Sequence, residues 1–252
     1  MTLWHYLLLI GSVLLGGGAG LLGAGRRLQP HLPLLLSFSG AYLLGIAALE
    51  LMPAAFGSHI HDGGLWLLAG FFVQLLLESL SQGVEHGHVH AHRRAGLGFA
   101  VQIMIGLGLH SLLEGLPLGA AGEGMDLHTG HDHGHTHGTG GALNLLVGIA
   151  LHKVPAAFAL ALLLVSSGYA RRLAWGCLLL FALLTPAGAL LGEILPIDDH
   201  WRSRILALVV GSLLHVSTTI LFEVDGSRTH RVSTEKFAVI VLGVAVAYLT
   251  NH

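Results

Sequence analysis

The sequence predicts an all-α membrane protein of eight transmembrane helices, and three observations carry that prediction. The 252-residue chain is 53% apolar and only 10% charged, with a mean hydropathy of +0.73, too little polar surface to clothe a water-soluble globule. Its apolar stretches recur at roughly the 20 residues that a helix needs to cross the hydrocarbon core. Its basic residues alternate between loops in the way that a threaded membrane chain requires.

The predicted spans cover residues 3–24, 32–56, 65–82, 97–121, 142–165, 173–195, 205–222 and 237–249. The first lacks the basic start of a secretory signal and is followed by Arg26 and Arg27, which anchor a retained helix. The second carries Glu50 and Pro53, and the third ends near Glu78. The fourth and fifth hold His110, Glu114, His152 and Lys153 in otherwise apolar runs. The single cysteine, Cys177, falls inside the sixth, so neither a disulfide framework nor a cysteine zinc site is available. The seventh contains His215, and the eighth is the shortest. No soluble domain fits between spans, so residues 1–252 read as one transmembrane domain with a histidine-bearing loop at 83–96 and a histidine-rich loop at 122–141.

Threading the spans puts Arg26, Arg27, Arg93, Arg94, Arg171, Arg172, Arg228, Arg231 and Lys236 on one side, nine of twelve basic residues. Arg202 and Arg204 fall on the other side, and Lys153 lies inside a span. The positive-inside rule makes the arginine-rich side cytoplasmic, with both termini and the 122–141 loop extracytoplasmic. The expected location is a plasma membrane or bacterial inner membrane. A net charge of −2 without a basic stripe excludes an electrostatic nucleic-acid binder. Expected partners are a metal ion, membrane lipid and, as an assembly, a homodimer.

Small residues four apart, Gly16 with Gly20, Ala41 with Gly45, Gly115 with Gly119 and Gly188 with Gly192, suit close helix contact. Pro53, Pro117, Pro155 and Pro186 each free a carbonyl one turn earlier, and in transporters such backbone often borders a site.

A charge at the bilayer centre costs about 2.5–3.5 kcal/mol even on the lenient insertion scale, so the polar residues inside spans need a reason. His110 and Glu114 are four apart and share a helical face, where they can grip one ion together or simply hydrogen-bond each other. Imidazole with carboxylate suits zinc, iron, nickel or manganese better than calcium or magnesium, which prefer oxygen shells. His152 stands three residues before Pro155 and is the third ligand that such a site would want. Glu50 and Glu193 are further acids within spans that could serve the ion. The adjacent Lys153 cannot ligate while protonated, and either pairs with a glutamate or snorkels to an interface.

A second signal lies in the loops. Nine of nineteen histidines fall in two short tracts, His86, His88, His90 and His92 on the cytoplasmic side and His128, His131, His133, His135 and His137 on the other. Alternating histidines in a glycine-rich tract make a loose, low-selectivity chelator, suited to collecting ions at the two faces.

The segment HSLLEGLPLGAA, residues 110–121, resembles the fourth-helix signature of the ZIP family, the zinc and iron permeases. LHKVPAAFALAL resembles the family's fifth-helix motif, GAYLLGIAALELMP its second helix and TPAGALLG its sixth, so the resemblance spans the chain. It implies a two-bundle arrangement of eight helices, extracytoplasmic termini, and an elevator-like or rocking change of access. It places the helix-4 ligands on His110 and Glu114 and the first helix-5 ligand on His152. The further acids with which many members hold a second ion read Lys153 and Ala156 here, and Ser111 replaces an asparagine. The His152-Lys153 pair resembles the branch that includes several animal plasma-membrane zinc importers.

The expected function is therefore import of a divalent transition metal, Zn2+ first and Fe2+, Mn2+, Cd2+, Ni2+ or Co2+ as further substrates. No GxxxxGK[ST] motif is present, so transport would run down a gradient or couple to another ion. An intramembrane zinc hydrolase and a metal sensor without flux are the alternatives, although no HExxH supports the first.

Overall fold

A computed structural model describes residues 1–23, 25–57, 61–87, 96–120, 140–196, 198–222 and 233–251. Among these are eight helices long and apolar enough to cross a membrane: α1 (Leu3–Leu21), α2 (Gln29–Gly57), α3 (Gly63–Ser81), α4 (Leu97–Ala120), α5 (Gly141–Ser166), α6 (Arg171–Ile194), α7 (Asp199–Phe222) and α8 (Thr234–Asn251). The predicted spans coincide with them, with two informative differences. Helix α7 starts six residues before its apolar run, because Asp199, Arg202 and Arg204 form a polar first turn that an apolar window passes over. Helix α8 is longer than its apolar core of 237–249 for the same reason, opening on Thr234, Glu235 and Lys236.

The surface is apolar and the interior holds polar groups, the reverse of a soluble protein. Leu65, Leu68, Phe72 and Leu76 face outward from α3, whereas Gln74, Ser81, His110, Ser111, Glu114, His152, Lys153, Ser212 and Ser217 are buried. Leucine on the outside suits lipid, and polar groups inside must find partners in the protein. The protein is a multi-pass membrane protein.

Helix packing sorts the spans into two bundles. One joins α1, α4, α5 and α6, and the other joins α2, α3, α7 and α8. The closest pairings within each bundle are made by glycine, as the small-residue spacings predict. A Cβ on Gly119 would stand 1.7 Å from the Ala189 carbonyl oxygen, and one on Gly192 2.2 Å from that of Leu116, so α4 and α6 touch backbone to backbone. Gly16 meets the Val154 carbonyl between α1 and α5, and Gly70 with Gly211 lock α3 against α7. Where no hydrophobic force drives helices together, this close approach is the main source of packing energy.

Between the bundles, α3 lies on α4 and α2 on α5, and this seam carries the polar residues. Helix α2 is not a regular helix along it. Residues Ala47–Leu51 form a π turn ahead of Pro53, which cannot donate to the Leu49 carbonyl, and the wide turn carries Glu50 inward. At the other end of the protein, left-handed Gln82 and Gly83 reverse the chain after α3, so that Val84, Glu85 and His86 tuck back beneath the bundles. Near the start of α3, Asp62 accepts from the Trp66 indole N–H at 3.1 Å and from Arg204 Nε at 2.9 Å, tying α3 to α7. Partial desolvation works against its charge, but these two donors hold the carboxyl below the usual range.

Candidate metal centre

His110 and Glu114 lie on the buried face of α4, one turn apart, and His152 reaches them from α5; each is 1% exposed. One ligand atom from each lies within 4.8 Å of the other two. Zinc takes nitrogen and oxygen at about 2.0–2.2 Å, so its ligand atoms stand roughly 3.3 Å apart, a spacing that small side-chain movements reach here. His110 Nε2 is 2.7 Å from Glu114 Oε1, and neither ring nitrogen of His152 has a hydrogen-bond partner among the described residues. A buried imidazole without partners costs about 1–3 kcal/mol per polar atom, and a cation ligand removes that penalty. The carbonyls freed by Pro117 and Pro155 belong to Leu113 and Leu151, each one residue before a candidate ligand.

Lys153 completes the cluster. Its Nζ lies 2.7 Å from Glu114 Oε2, donates to Ser111 Oγ at 2.7 Å and sits 4.6 Å from the centre of the Phe181 ring. The ammonium is thus held by carboxylate, hydroxyl and aromatic face, so it pairs with a glutamate and does not snorkel. Each Glu114 oxygen has its own partner, Oε1 facing His110 and Oε2 the lysine.

The sequence matches known transporters. The family model described as ZIP Zinc transporter matches residues 80–251, well over half of the chain. The chain belongs to the ZIP zinc transporter family. Zinc transporter ZIP9 of Xenopus tropicalis is 30% identical over 141 residues, which are 53% of this chain and 43% of that protein. Zinc transporter ZIP9 of Micropogonias undulatus is 30% identical over 128 residues, 51% of this chain and 37% of its own. Zinc transporter SLC39A7 of Rattus norvegicus is 35% identical over 85 residues, 26% of this chain and 18% of its own. The matched stretches thus span less than half the length of these relatives. ZIP proteins are transporters and not enzymes, which tells against the hydrolase alternative.

The other sequence-predicted residues lie apart from the three-residue group. Glu50 takes a 3.4 Å contact from Asn144 Nδ2 on α5, and Asn144 also donates to the Thr250 carbonyl, binding α2, α5 and α8. Glu193, whose side chain is 42% exposed at the end of α6, accepts from Tyr6 Oη. The charge of Lys153 is met directly by Glu114. His128, His131, His133, His135 and His137 lie outside the described residues, as do His88, His90 and His92.

Three features were not assigned from the sequence. Gln74 on α3 is fully buried, and its Oε1 lies 2.9 Å from His110 Nδ1 and accepts from Ser212 Oγ at 2.9 Å. One turn further along α3, Glu78 hydrogen-bonds His215 Nε2 of α7 and lies 3.5 Å from His86 Nε2. His86, which reads as part of a loop chelator, is instead buried, as is its neighbour Glu85, which accepts from Ser81 Oγ at 2.6 Å. The signal available for Gln74 and Glu78 was their i, i+4 spacing in an apolar span, which sets both on one face of α3.

Proposed function

We propose that this ZIP protein carries zinc across the membrane toward the cytoplasm, desolvating the ion at His110, Glu114 and His152. The observation that carries this reading is the buried group itself, two imidazoles and one carboxylate gathered from α4 and α5 near the middle of their spans. Such a ligand set favours zinc and the neighbouring transition metals over magnesium and calcium. The clustered arginines of the α1–α2, α3–α4, α5–α6 and α7–α8 connections support a cytoplasmic face there.

On that orientation, Glu50 and Glu193 stand in the extracytoplasmic halves of α2 and α6, and Glu78, His86 and His215 stand toward the cytoplasm. The ion would pass from the first level, through the midplane ligands, to the second. The histidine tract at 122–141 would gather metal on the uptake side and the tract at 83–96 on the release side. The two bundles support alternating access, with the site on one bundle and its polar neighbours on the other.

Purified protein in proteoliposomes, loaded with a zinc-sensitive dye and given zinc, iron, manganese, cadmium, nickel or cobalt in turn, tests the reading. Zinc flux above that of empty vesicles is expected. Tight zinc binding without flux of any of these metals would instead identify a sensor.

A further inference from the structure

We infer that Gln74 is a positioning residue for the metal site, a neutral latch from the opposite bundle that selects which nitrogen of His110 faces the ion. The inference rests on the reading of His110, Glu114 and His152 as the transport site. Gln74 belongs to α3, in the bundle of α2, α3, α7 and α8, whereas His110 belongs to α4 in the other. The Ser212 hydroxyl, from α7, donates to Gln74 Oε1 at 2.9 Å, so the amide is held by its own bundle. The same oxygen faces His110 Nδ1 at 2.9 Å across the seam. An imidazole whose Nδ1–H is committed to an acceptor turns Nε2 toward Glu114 Oε1, 2.7 Å away, where an ion would sit. Such outer partners fix ring orientation and raise ligand basicity.

The choice of an amide is itself informative. Gln74 Nε2 has no hydrogen-bond partner among the described residues, although Gln74 is 0% exposed. A carboxylate of the same shape would accept both bonds and leave no orphan donor, so hydrogen bonding alone does not favour glutamine. A carboxylate would also grip His110 by a charge-assisted bond, roughly twice as strong as a neutral one. Glutamine gives an acceptor strong enough to orient the ring and weak enough to part when the bundles move. His110 then leaves Gln74 and Ser212 behind, and metal affinity becomes a property of the conformational state.

The test compares Gln74→Leu, Gln74→Glu and wild type as full chains in detergent. Zn2+ affinity is measured by competition with a chromophoric chelator, and Co2+ absorption bands report ligand geometry. His110→Ala/His152→Ala, which keeps the Lys153–Glu114 pair, supplies the background from the histidine loops. Gln74→Leu should weaken zinc about 10–100-fold and alter the cobalt bands. Gln74→Glu should restore or exceed wild-type affinity yet lower maximal flux in proteoliposomes, so that affinity and rate move in opposite directions. Wild-type affinity and bands in Gln74→Leu would overturn the inference, as would a folded Gln74→Glu that fails to restore binding or that keeps full maximal flux. If Gln74→Leu does not fold, Ser212→Ala replaces it, with several-fold weaker binding expected and unchanged binding overturning the latch. Wild type binding no more zinc than the background variant would instead defeat the assignment of the site, and the latch with it.

Discussion

Lys153 Nζ lies 2.7 Å from Glu114 Oε2, so the only carboxylate among the three clustered candidate ligands is also the counter-ion of a buried lysine. This changes what a single alanine substitution reports. Removing Glu114 deletes a proposed metal ligand and also strands an ammonium that is 1% exposed.

Glu114→Ala alone should therefore destabilise the protein by about 3–5 kcal/mol, the usual penalty for a buried charge that loses its partner. Glu114→Ala/Lys153→Met should recover most of that stability while zinc uptake stays lost. Thermal unfolding in detergent reads the first quantity and proteoliposome flux the second. Uptake by the folded double variant would remove Glu114 from the site.

A second expectation concerns the contact between α4 and α6. Gly119→Ala would press a methyl group to 1.7 Å from the Ala189 carbonyl oxygen, and the helices must separate to admit it. Overpacking of this kind costs about 1–3 kcal/mol. Gly176→Ala, on the same α6 but with nothing within 4 Å of the added methyl, is the control. Its effect should be neutral, or stabilising by up to about 1 kcal/mol through helix propensity. Equal melting temperatures for the two variants would contradict the backbone-to-backbone contact.

The loudest signals in the sequence were those with a large energetic cost. Histidine, glutamate and lysine inside apolar spans stand out because burying them is expensive, and so His110, Glu114 and His152 could be named before any coordinates. Gln74 is less conspicuous because a neutral amide carries no charge whose burial demands a counter-ion, although it contacts His110 directly. Glu85 and His86 were hidden for a different reason. They open a histidine-rich tract that reads as solvated loop, and only the left-handed turn at Gln82 and Gly83 carries them inside. The partner of Lys153 was open in the sequence because residues from two different helices meet there, and spacing along one helix says nothing about its neighbour.

Acid should loosen the tie between α3 and α7. The Asp62 carboxyl is held below its usual range, so its pairing with Trp66 and Arg204 stabilises the fold above the unfolded value near pH 4 and is lost as pH falls through the folded value. Asp62→Asn should lower stability modestly at neutral pH and abolish that part of the acid sensitivity, so that the two proteins converge as pH falls. Melting curves of both proteins between about pH 3 and 7 check this. Parallel curves would show that Asp62 does not contribute.

Deleting residues 129–139 should raise the half-saturating zinc concentration and leave the saturating rate intact. A low-complexity histidine tract raises the local ion concentration but selects little by geometry, and the buried His110, Glu114 and His152 group remains. Initial rates across a zinc series separate the two parameters. Loss of transport at saturating zinc in a folded deletion variant would place the tract in the pathway itself.

The core should hold one ion per chain. A second ion would need a carboxylate where Lys153 stands, but the ammonium already takes Glu114 Oε2, Ser111 Oγ and the face of Phe181. A dication about 5 Å from that ammonium would be opposed by roughly 7 kcal/mol at an effective dielectric of about 20. Lysine thus supplies a tethered positive charge in place of a second metal. It also leaves Glu114 Oε1 to face His110, so one carboxylate can serve both cations from opposite oxygens. Lys153→Ala should keep one-ion binding with altered affinity, because Glu114 then loses a competing positive charge. Lys153→Asp should add both room and negative charge and raise the stoichiometry to two. Metal analysis after washing settles the count, provided that residues 88–92 and 129–139 are deleted to remove loose binding. Two tightly held equivalents in the loop-deleted protein with Lys153 intact would show that the lysine does not exclude a second ion.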